Sequence, residues 1–385
     1  MEKGIRILFN QQFGSEPVVS RSPGRINVIG EHTDYNHGFV LPAAIDKYIY
    51  VAAAANGTNM IRLYAAAFNE RIELEVEALR KYPGSWINYI LGVVAELQKA
   101  NYKICGFDLV VDGDLPIGAG LSSSAAMECA TCEALNAIFG LGVKQEAIIQ
   151  YAQWAEHNYA GVQCGIMDQF ASVRGEKNHA ILLDCQTLDY QYIPLDLKDY
   201  QLVLFNSNVK HSLASSQYNI RRQECEEVVA IIQRHLPRVK SIRDITVNML
   251  VGLVHDPVLF KRAKYVIEEN DRVQKAVKYL LEQNIVGVGQ QLFKSHAGLS
   301  EDYEVSCKEL DWLVNAVSYR YDVAGARMMG GGFGGCTINI VRTDKVAELT
   351  SAIAEEYEKA MQRSLSAYVV NSSGGTEVLT KSFAI

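Results

Sequence analysis

The segment LPIGAGLSSSAAM at residues 115–127 constrains the fold more than any other stretch of the chain, because it joins a strand to a helix through a glycine turn. FDLVVDGDLP before the turn alternates as a strand does, and from Ser122 to Ile138 the apolar residues recur at helical spacing. Gly118 and Gly120 let the backbone approach a ligand closely, and the first amides of a helix have no internal partner. The segment therefore predicts either an anion-binding loop or a plain glycine turn capped by serines.

A second glycine-rich segment, MMGGGFGGCTINIV, contains the spacing Gly330-x-Gly332-x-x-Gly335 of a dinucleotide-binding loop. The context excludes that function, since the segment leads into a strand and no βαβ unit surrounds it. The 115–127 segment also has no lysine where a Walker loop requires one. Glycines before a strand indicate close backbone packing, against either another segment or a ligand.

The loop EHTDYNHG at residues 31–38 is rich in hydrogen-bonding side chains. Carboxylates, imidazoles and amides can hold several sugar hydroxyls at once, because each hydroxyl both donates and accepts. The same composition also suits a solvated turn, so the loop alone leaves both interpretations open.

Three further charged residues lie in apolar surroundings. Arg25 shares its segment with Ile26 and Val28, and it requires either an acidic partner or an anionic ligand. Glu156 lies on the apolar face of a helix predicted for 145–160, where a metal ion or a core hydrogen bond would satisfy it. Asp168, in the predicted loop CGIMDQF, is a candidate base or electrostatic partner.

The length of 385 residues predicts two domains, which we place at 1–195 and 196–385. Strands and helices mix without a regular βαβ rhythm, which indicates the α+β class. With 49% hydrophobic and 21% charged residues and a net charge of −7, the chain is globular and has no basic surface for nucleic acid. We expect neither a nucleic-acid nor a membrane partner.

The eight cysteines are scattered, and no signal peptide or long apolar run accompanies them. We therefore expect reduced thiols in a cytoplasmic protein. Cys129-x-x-Cys132 has no second pair at a zinc-site distance and lies in a predicted helix, which favours two core cysteines.

Four segments together resemble the galactokinases, a branch of the GHMP small-molecule kinases. They are PGRINVIGEHTDYNHG at 23–38, LPIGAGLSSSA at 115–125, AEHNYAGVQCGIMDQF at 155–170 and ARMMGGGFGGCTI at 326–338. The resemblance spans nearly the whole chain, in the family's order, although Met329 stands where the family usually has threonine. It implies an N-terminal mixed-sheet domain of the ribosomal S5 type and a C-terminal antiparallel-sheet domain of the ferredoxin type.

The resemblance also implies a function and a division of roles. The expected reaction is ATP-dependent phosphorylation of the anomeric hydroxyl of α-D-galactose, with Mg²⁺. Asp168 would face that hydroxyl, as a base or an orienting group, with Arg25 beside it to lower the pKa of the acid and stabilise the transition state. The sugar would contact Glu31, His32, Thr33, Asp34, Gly165 and Tyr218. The ATP phosphates would lie on Gly118, Ala119, Gly120, Leu121, Ser122, Ser123 and Ser124, and the metal would be held by Ser124 and Glu156.

Two alternatives remain open at this stage. One is a kinase for N-acetylgalactosamine or another sugar, because the room beside the 2-position cannot be inferred from sequence. The other is a galactose sensor that binds both ligands without turnover, against which the complete set of Arg25, Ser124, Glu156 and Asp168 argues. We expect a monomer.

Overall fold

The computed structural model describes residues 1–209 and 214–379. Residues 1–195 form eight strands and five α-helices. The strands are β1 (Val18–Asn27), β2 (Phe39–Val40), β3 (Pro42–Ala55), β4 (Met60–Ala65), β5 (Glu70–Glu75), β6 (Phe107–Gly113), β7 (His179–Asp184) and β8 (Tyr190–Pro194). The helices are α1 (Glu2–Phe13), α2 (Ile87–Lys99), α3 (Ser123–Phe139), α4 (Gln145–Ala155) and α5 (Met167–Arg174), and a π-helical turn (Glu156–Ala160) follows α4.

The rest of the described chain is dominated by helices. They are α6 (Ala214–Gln233), α7 (Val247–Leu253), α8 (Pro257–Leu281), α9 (Ile285–Ala297), α10 (Lys308–Ser318) and α11 (Val346–Met361). The strands are β9 (Tyr200–Asn206), β10 (Val323–Met328), β11 (Cys336–Arg342), β12 (Ser366–Val370) and β13 (Glu377–Leu379).

The strands form three sheets. The first has the order β13-β1-β3-β6-β4-β5 and is mixed, since β4 runs parallel to β6 while the other neighbours are antiparallel. The second, β10-β11-β9-β12, is antiparallel throughout, and β2-β7-β8 form a small third sheet. The predicted α+β class, with a mixed and an antiparallel sheet, is confirmed.

Burial in the second sheet follows the two-residue period of a strand. Leu202 and Leu204 on β9 face the main core, whereas Val203 and Phe205 face a separate cluster formed with α10 and α11. The main core also contains Ile26 of β1, so apolar packing continues from the first sheet to the second. This shared core holds together the loops that both sheets contribute to the site.

The last described strand crosses the predicted division of the chain. The boundary at residue 195 falls between β8 and β9, where the chain leaves the third sheet and enters the second. However, β13 pairs with β1, so 377–379 belong to the first sheet rather than with the rest of 196–385. The boundary at 195 stays a prediction, and β13 is the part of 196–385 that pairs with the first sheet.

Several element boundaries also differ from those predicted. The strand that carries Arg25 runs from Val18 to Asn27, because β1 pairs with β3 from Val18 onward. The helix expected at 145–160 changes to the π-helical turn at Glu156, and α5 begins at Met167 where a loop was expected. None of the helices in the described ranges has both the length and the apolar composition needed to cross a membrane.

Candidate active site

Two cavities lie on either side of the first turn of α3. The smaller, about 210 Å³, is mostly polar and acidic in lining; its residues are Arg25, Glu31, His32, Asp34, Glu156, Val162, Cys164, Met167, Asp168, Tyr218, Gly330 and Gly331. The larger, about 730 Å³, is lined chiefly by apolar and aromatic residues; it includes Ile49, Phe68, Glu70, Pro83, Ser85, Trp86, Tyr89, Ile117, Gly118, Ser123, Ser124 and Met127. We call them the acidic cavity and the aromatic cavity.

The loop between the cavities has the backbone that its glycines allow. Gly118 and Gly120 both have φ of 75°, in the left-handed region that glycine tolerates. Ser122, which precedes α3, also has a positive φ, and its hydroxyl donates to Asp168 Oδ2 at 2.6 Å instead of capping the helix. The Ser122 side chain therefore leaves the first amides of α3 uncapped, and uncapped amides are what an anion site at a helix start requires.

Arg25 connects this loop to Asp168. Its Nε donates to Asp168 Oδ1 at 2.8 Å, and its Nη1 donates to the carbonyl oxygen of Gly120 at 2.7 Å. Although burial opposes the charge, Asp168 and Glu31 raise the pKa of the guanidinium above its ordinary value. Asp168 thus has one oxygen bonded to a fixed cation and the other to the hydroxyl of the glycine loop.

Glu31 is fixed by a residue that the sequence analysis missed. Its Oε1 accepts from Arg327 at 3.2 Å and from the amide of Gly330 at 2.8 Å. Arg327 is fully buried and also donates to the carbonyl oxygens of Asn27 and Val28. Because the arginine lies in β10, within the 326–338 family segment, it attaches the 31–38 loop to the second sheet.

His32 and Asp34 both project into the acidic cavity. Burial lowers the pKa of His32 to about 3, so the imidazole is neutral, and its Nδ1 lies 2.7 Å from the Tyr35 hydroxyl. Burial, together with the Asp168 and Glu31 charges, raises the pKa of Asp34 to about 7. A buried carboxyl group such as that of Asp34 needs hydrogen-bond partners, which sugar hydroxyls can supply.

Gly165 lies against Asp34 so closely that a side chain at this position would collide with the Asp34 carboxylate. Tyr218 packs against the rings of His32 and Tyr35, each at a centroid distance of 5.1 Å. The structure therefore brings the predicted sugar-binding residues Glu31, His32, Asp34 and Tyr218 to a single cavity, and Gly165 packs against Asp34.

Thr33 is the exception among the predicted sugar-binding residues, because it does not line the cavity; its contact with the sugar stays a prediction. It is fully buried, and its hydroxyl lies 2.8 Å from the carbonyl oxygen of Gly30 and 2.7 Å from that of Phe39. These bonds fix the base of the loop. His32 has a φ of 61°, and this turn directs its two neighbours to opposite sides of the loop.

Glu156 and Glu128 form a buried acidic group behind the first turn of α3. Burial and Asp168 raise the pKa of Glu156 to about 7, while a hydrogen bond from Ser124 opposes that shift. Burial and Glu156 raise the pKa of Glu128 well above its ordinary value. Such carboxylates fit a hard cation, and an oxygen set of one carboxylate and one hydroxyl suits Mg²⁺ that also binds phosphates.

The 326–338 family segment packs directly on the glycine loop. A side-chain carbon at Gly120 would lie 3.3 Å from the carbonyl oxygen of Met329, and one at Gly335 would lie 3.4 Å from that of Ala119. The predicted close backbone approach of the two segments is confirmed. The side chains of Ala119 and Leu121 are buried in the core, so these two residues offer only backbone atoms to a ligand.

The aromatic cavity contains residues that no sequence motif indicated. The Trp86 ring stacks on Phe68 at 6.5 Å between centroids, and its Nε1 donates to Glu70 at 2.6 Å. These residues come from two separate segments of the chain whose polar and apolar pattern is unremarkable. Trp86 directly before α2, with Asn88 and Tyr89 in the first turn of that helix, was the available signal.

Residues 88–176 match the family of GHMP kinases N terminal domains, residues 276–359 match the GHMP kinases C terminal family, and residues 7–55 match the galactokinase galactose-binding signature. A galactokinase of Thermotoga maritima is 43% identical over 358 residues, which cover 93% of this chain and 99% of the relative. A galactokinase of Roseiflexus is 38% identical over 96% of this chain and 95% of the relative.

Comparison with solved structures agrees with these sequence matches. The crystal structure of Lactococcus lactis galactokinase complexed with galactose superimposes with a TM-score of 0.95 at 37% identity, covering 98% of this chain and 100% of the other. A Methanococcus jannaschii mevalonate kinase shares only the fold, with a TM-score of 0.67 at 17% identity over 94% of this chain and 100% of the other. Fold and site together define a small-molecule kinase of the GHMP class. Within that class, the chain belongs to the galactokinase family.

Proposed function

We propose that the protein transfers the γ-phosphate of ATP to the anomeric hydroxyl of α-D-galactose, giving galactose 1-phosphate and ADP. The observation that carries the proposal is the position of Asp168. Its carboxylate borders the acidic cavity and accepts hydrogen bonds from both Arg25 and the glycine-loop residue Ser122. A hydroxyl bound in the acidic cavity would therefore meet a phosphate held at the start of α3, with Asp168 beside it.

In this proposal Asp168 orients the sugar hydroxyl and accepts its proton, and Arg25 stabilises the negative charge that develops during transfer. Phosphoryl transfer depends mainly on positioning and electrostatics, so both roles require the fixed geometry observed here. Glu31, His32, Asp34 and Tyr218 would bind the remaining hydroxyls. The Lactococcus lactis relative was crystallised in complex with galactose, which supports galactose as the sugar.

We place the adenosine part of ATP in the aromatic cavity and its phosphates on residues 118–124. Ser124 and Glu156 would hold Mg²⁺, which when bound neutralises phosphate charge. Among the residues that the structure describes, no three His, Cys, Asp or Glu side chains could hold a metal ion by themselves. This agrees with an ion that takes most of its ligands from phosphate and water.

The test of this function is ADP release with MgATP and a panel of free sugars. Turnover with galactose and little with N-acetylgalactosamine supports the proposal. Preference for the acetamido sugar would move the protein to a different sugar kinase, and binding of both ligands without ADP release would make it a sensor. We also keep the cytoplasmic location and the monomeric state as proposals, the latter to be tested by sedimentation equilibrium.

The Gly165→Ala variant is expected to raise KM for galactose by about tenfold or more, because the added methyl group displaces the Asp34 carboxylate from the cavity. KM for ATP should change little. Steady-state kinetics with each substrate varied separately measure the difference. Gly374→Ala, at a glycine that likewise has no positive φ but has open space around it, is the matched control. Equal effects of the two variants on KM for galactose would contradict the assignment.

The Trp86→Ala variant is expected to raise KM for ATP by about tenfold and to leave KM for galactose unchanged, because aromatic stacking on a base contributes about 1–3 kcal/mol. Trp154→Ala is the control, since Trp154 is also half-buried but does not line the aromatic cavity. Should Trp86→Ala bind ATP as tightly as the unaltered protein, the adenosine part must lie elsewhere.

A further inference from the structure

Gln169 is a fully buried residue next to Asp168 that the function described so far does not use. Its Nε2 donates to Glu156 Oε2 at 3.0 Å and lies 3.4 Å from Glu128 Oε2. One amide group is therefore shared by two buried carboxylates.

The two neighbours point in different directions because successive residues of an α-helix are about 100° apart. Asp168 faces Arg25 and the acidic cavity, whereas Gln169 faces back toward Glu156 and Glu128. These carboxylates belong to the π-helical turn and to α3, respectively. Gln169 therefore connects the start of α5 with the two elements that carry Ser124 and Glu156.

A buried carboxylate that is free to rotate offers a metal ion no fixed oxygen. Gln169 holds Glu156 Oε2, and Ser124, the second proposed metal ligand, also hydrogen-bonds to this carboxylate. In the described part of the chain, Gln169 Oε1 and Glu128 Oε1 have no hydrogen-bond partner. Burying unpaired polar groups is costly, and an arrangement kept at that cost favours a positioning role over core packing.

We propose that Gln169 is a positioning residue for the Glu156 carboxylate, and that it sets the affinity of the enzyme for the divalent cation that accompanies ATP. The inference rests on the proposed role of Glu156 as a metal ligand. Residues that orient a metal ligand typically change metal affinity by about 10–100-fold when they are removed.

The test uses Gln169→Met, which keeps the length of the side chain and removes the amide donor. Binding of Mn²⁺ to the full-length protein is measured by electron paramagnetic resonance, with a non-hydrolysable ATP analogue present. Mn²⁺ affinity is expected to fall by about tenfold or more. In parallel kinetics, the Mg²⁺ concentration for half-maximal rate should rise similarly, kcat at saturating Mg²⁺ should recover, and KM for galactose should stay the same.

Two further variants separate the possible failures. Thr131→Val removes a buried hydroxyl from α3 and should leave Mn²⁺ affinity unchanged. Glu156→Gln should weaken Mn²⁺ binding more than Gln169→Met does. If Glu156→Gln has no effect, the proposed metal ligand itself is wrong. If Glu156→Gln weakens binding while Gln169→Met only lowers the melting temperature, Gln169 is a packing residue and the inference fails.

Discussion

Replacing Asp168 by asparagine is expected to lower kcat by about 10³-fold, since removal of a positioned acid–base group typically costs 10²–10⁴-fold. Asparagine keeps the shape of the side chain, but it can neither take the proton of the sugar hydroxyl nor pair ionically with Arg25. The Arg25 guanidinium would then face a neutral amide in place of the carboxylate that now lies 2.8 Å away. Measurement of kcat by ADP release, together with thermal unfolding, separates lost chemistry from lost structure.

The matched control for this experiment is Asp189→Asn, which makes the same chemical change at an exposed position. It should leave kcat and thermal stability as they are. A variant at Asp168 that is folded and keeps most of its activity would remove this residue from the mechanism. The sugar specificity should not change in either variant, because Glu31, His32 and Asp34 remain in place.

The sequence predicted those parts of the site that depend on short-range geometry. Gly118, Gly120 and the serines after them specify a turn and a helix start within one continuous segment, and the structure contains both. In each case the residue type carries the requirement, whether this is a positive φ or a free amide. The meeting of the 31–38 loop with Asp168 in one cavity, by contrast, was implied only by the family resemblance.

What the sequence did not predict depends on contacts between distant segments. Arg327 reaches Glu31 across 296 positions of the chain, and its role is set by the pairing of β10 with β11 beside the loop. Thr33 differs from its neighbours only in the direction of its side chain, which the positive φ of His32 determines. The pairing of β13 with β1 likewise depends on a return of the chain that three residues cannot signal.

Replacing Arg25 by methionine is expected to lower kcat by about 10²–10³-fold, as is typical for loss of one preorganised charge or donor at a transition state. Arg25→Lys keeps the charge but should recover little, because a single ammonium group cannot reproduce the separate bonds from Nε to Asp168 and from Nη1 to Gly120. Arg21→Lys on the same strand, where the partner is the half-exposed Glu377, is the control and should be nearly silent.

The double variant Arg25→Met with Asp168→Asn decides whether the two residues act as a unit. If Arg25 works by holding and charging the Asp168 site, the double variant should be little worse than Asp168→Asn alone, because the second change removes an interaction already lost. If Arg25 instead contacts the transferring phosphate independently, the two losses should multiply. The Arg25 contact with the Gly120 carbonyl, on the phosphate side of Asp168, predicts a combined loss in kcat between these limits. A fully multiplicative loss would show that the ion pair itself contributes nothing to catalysis.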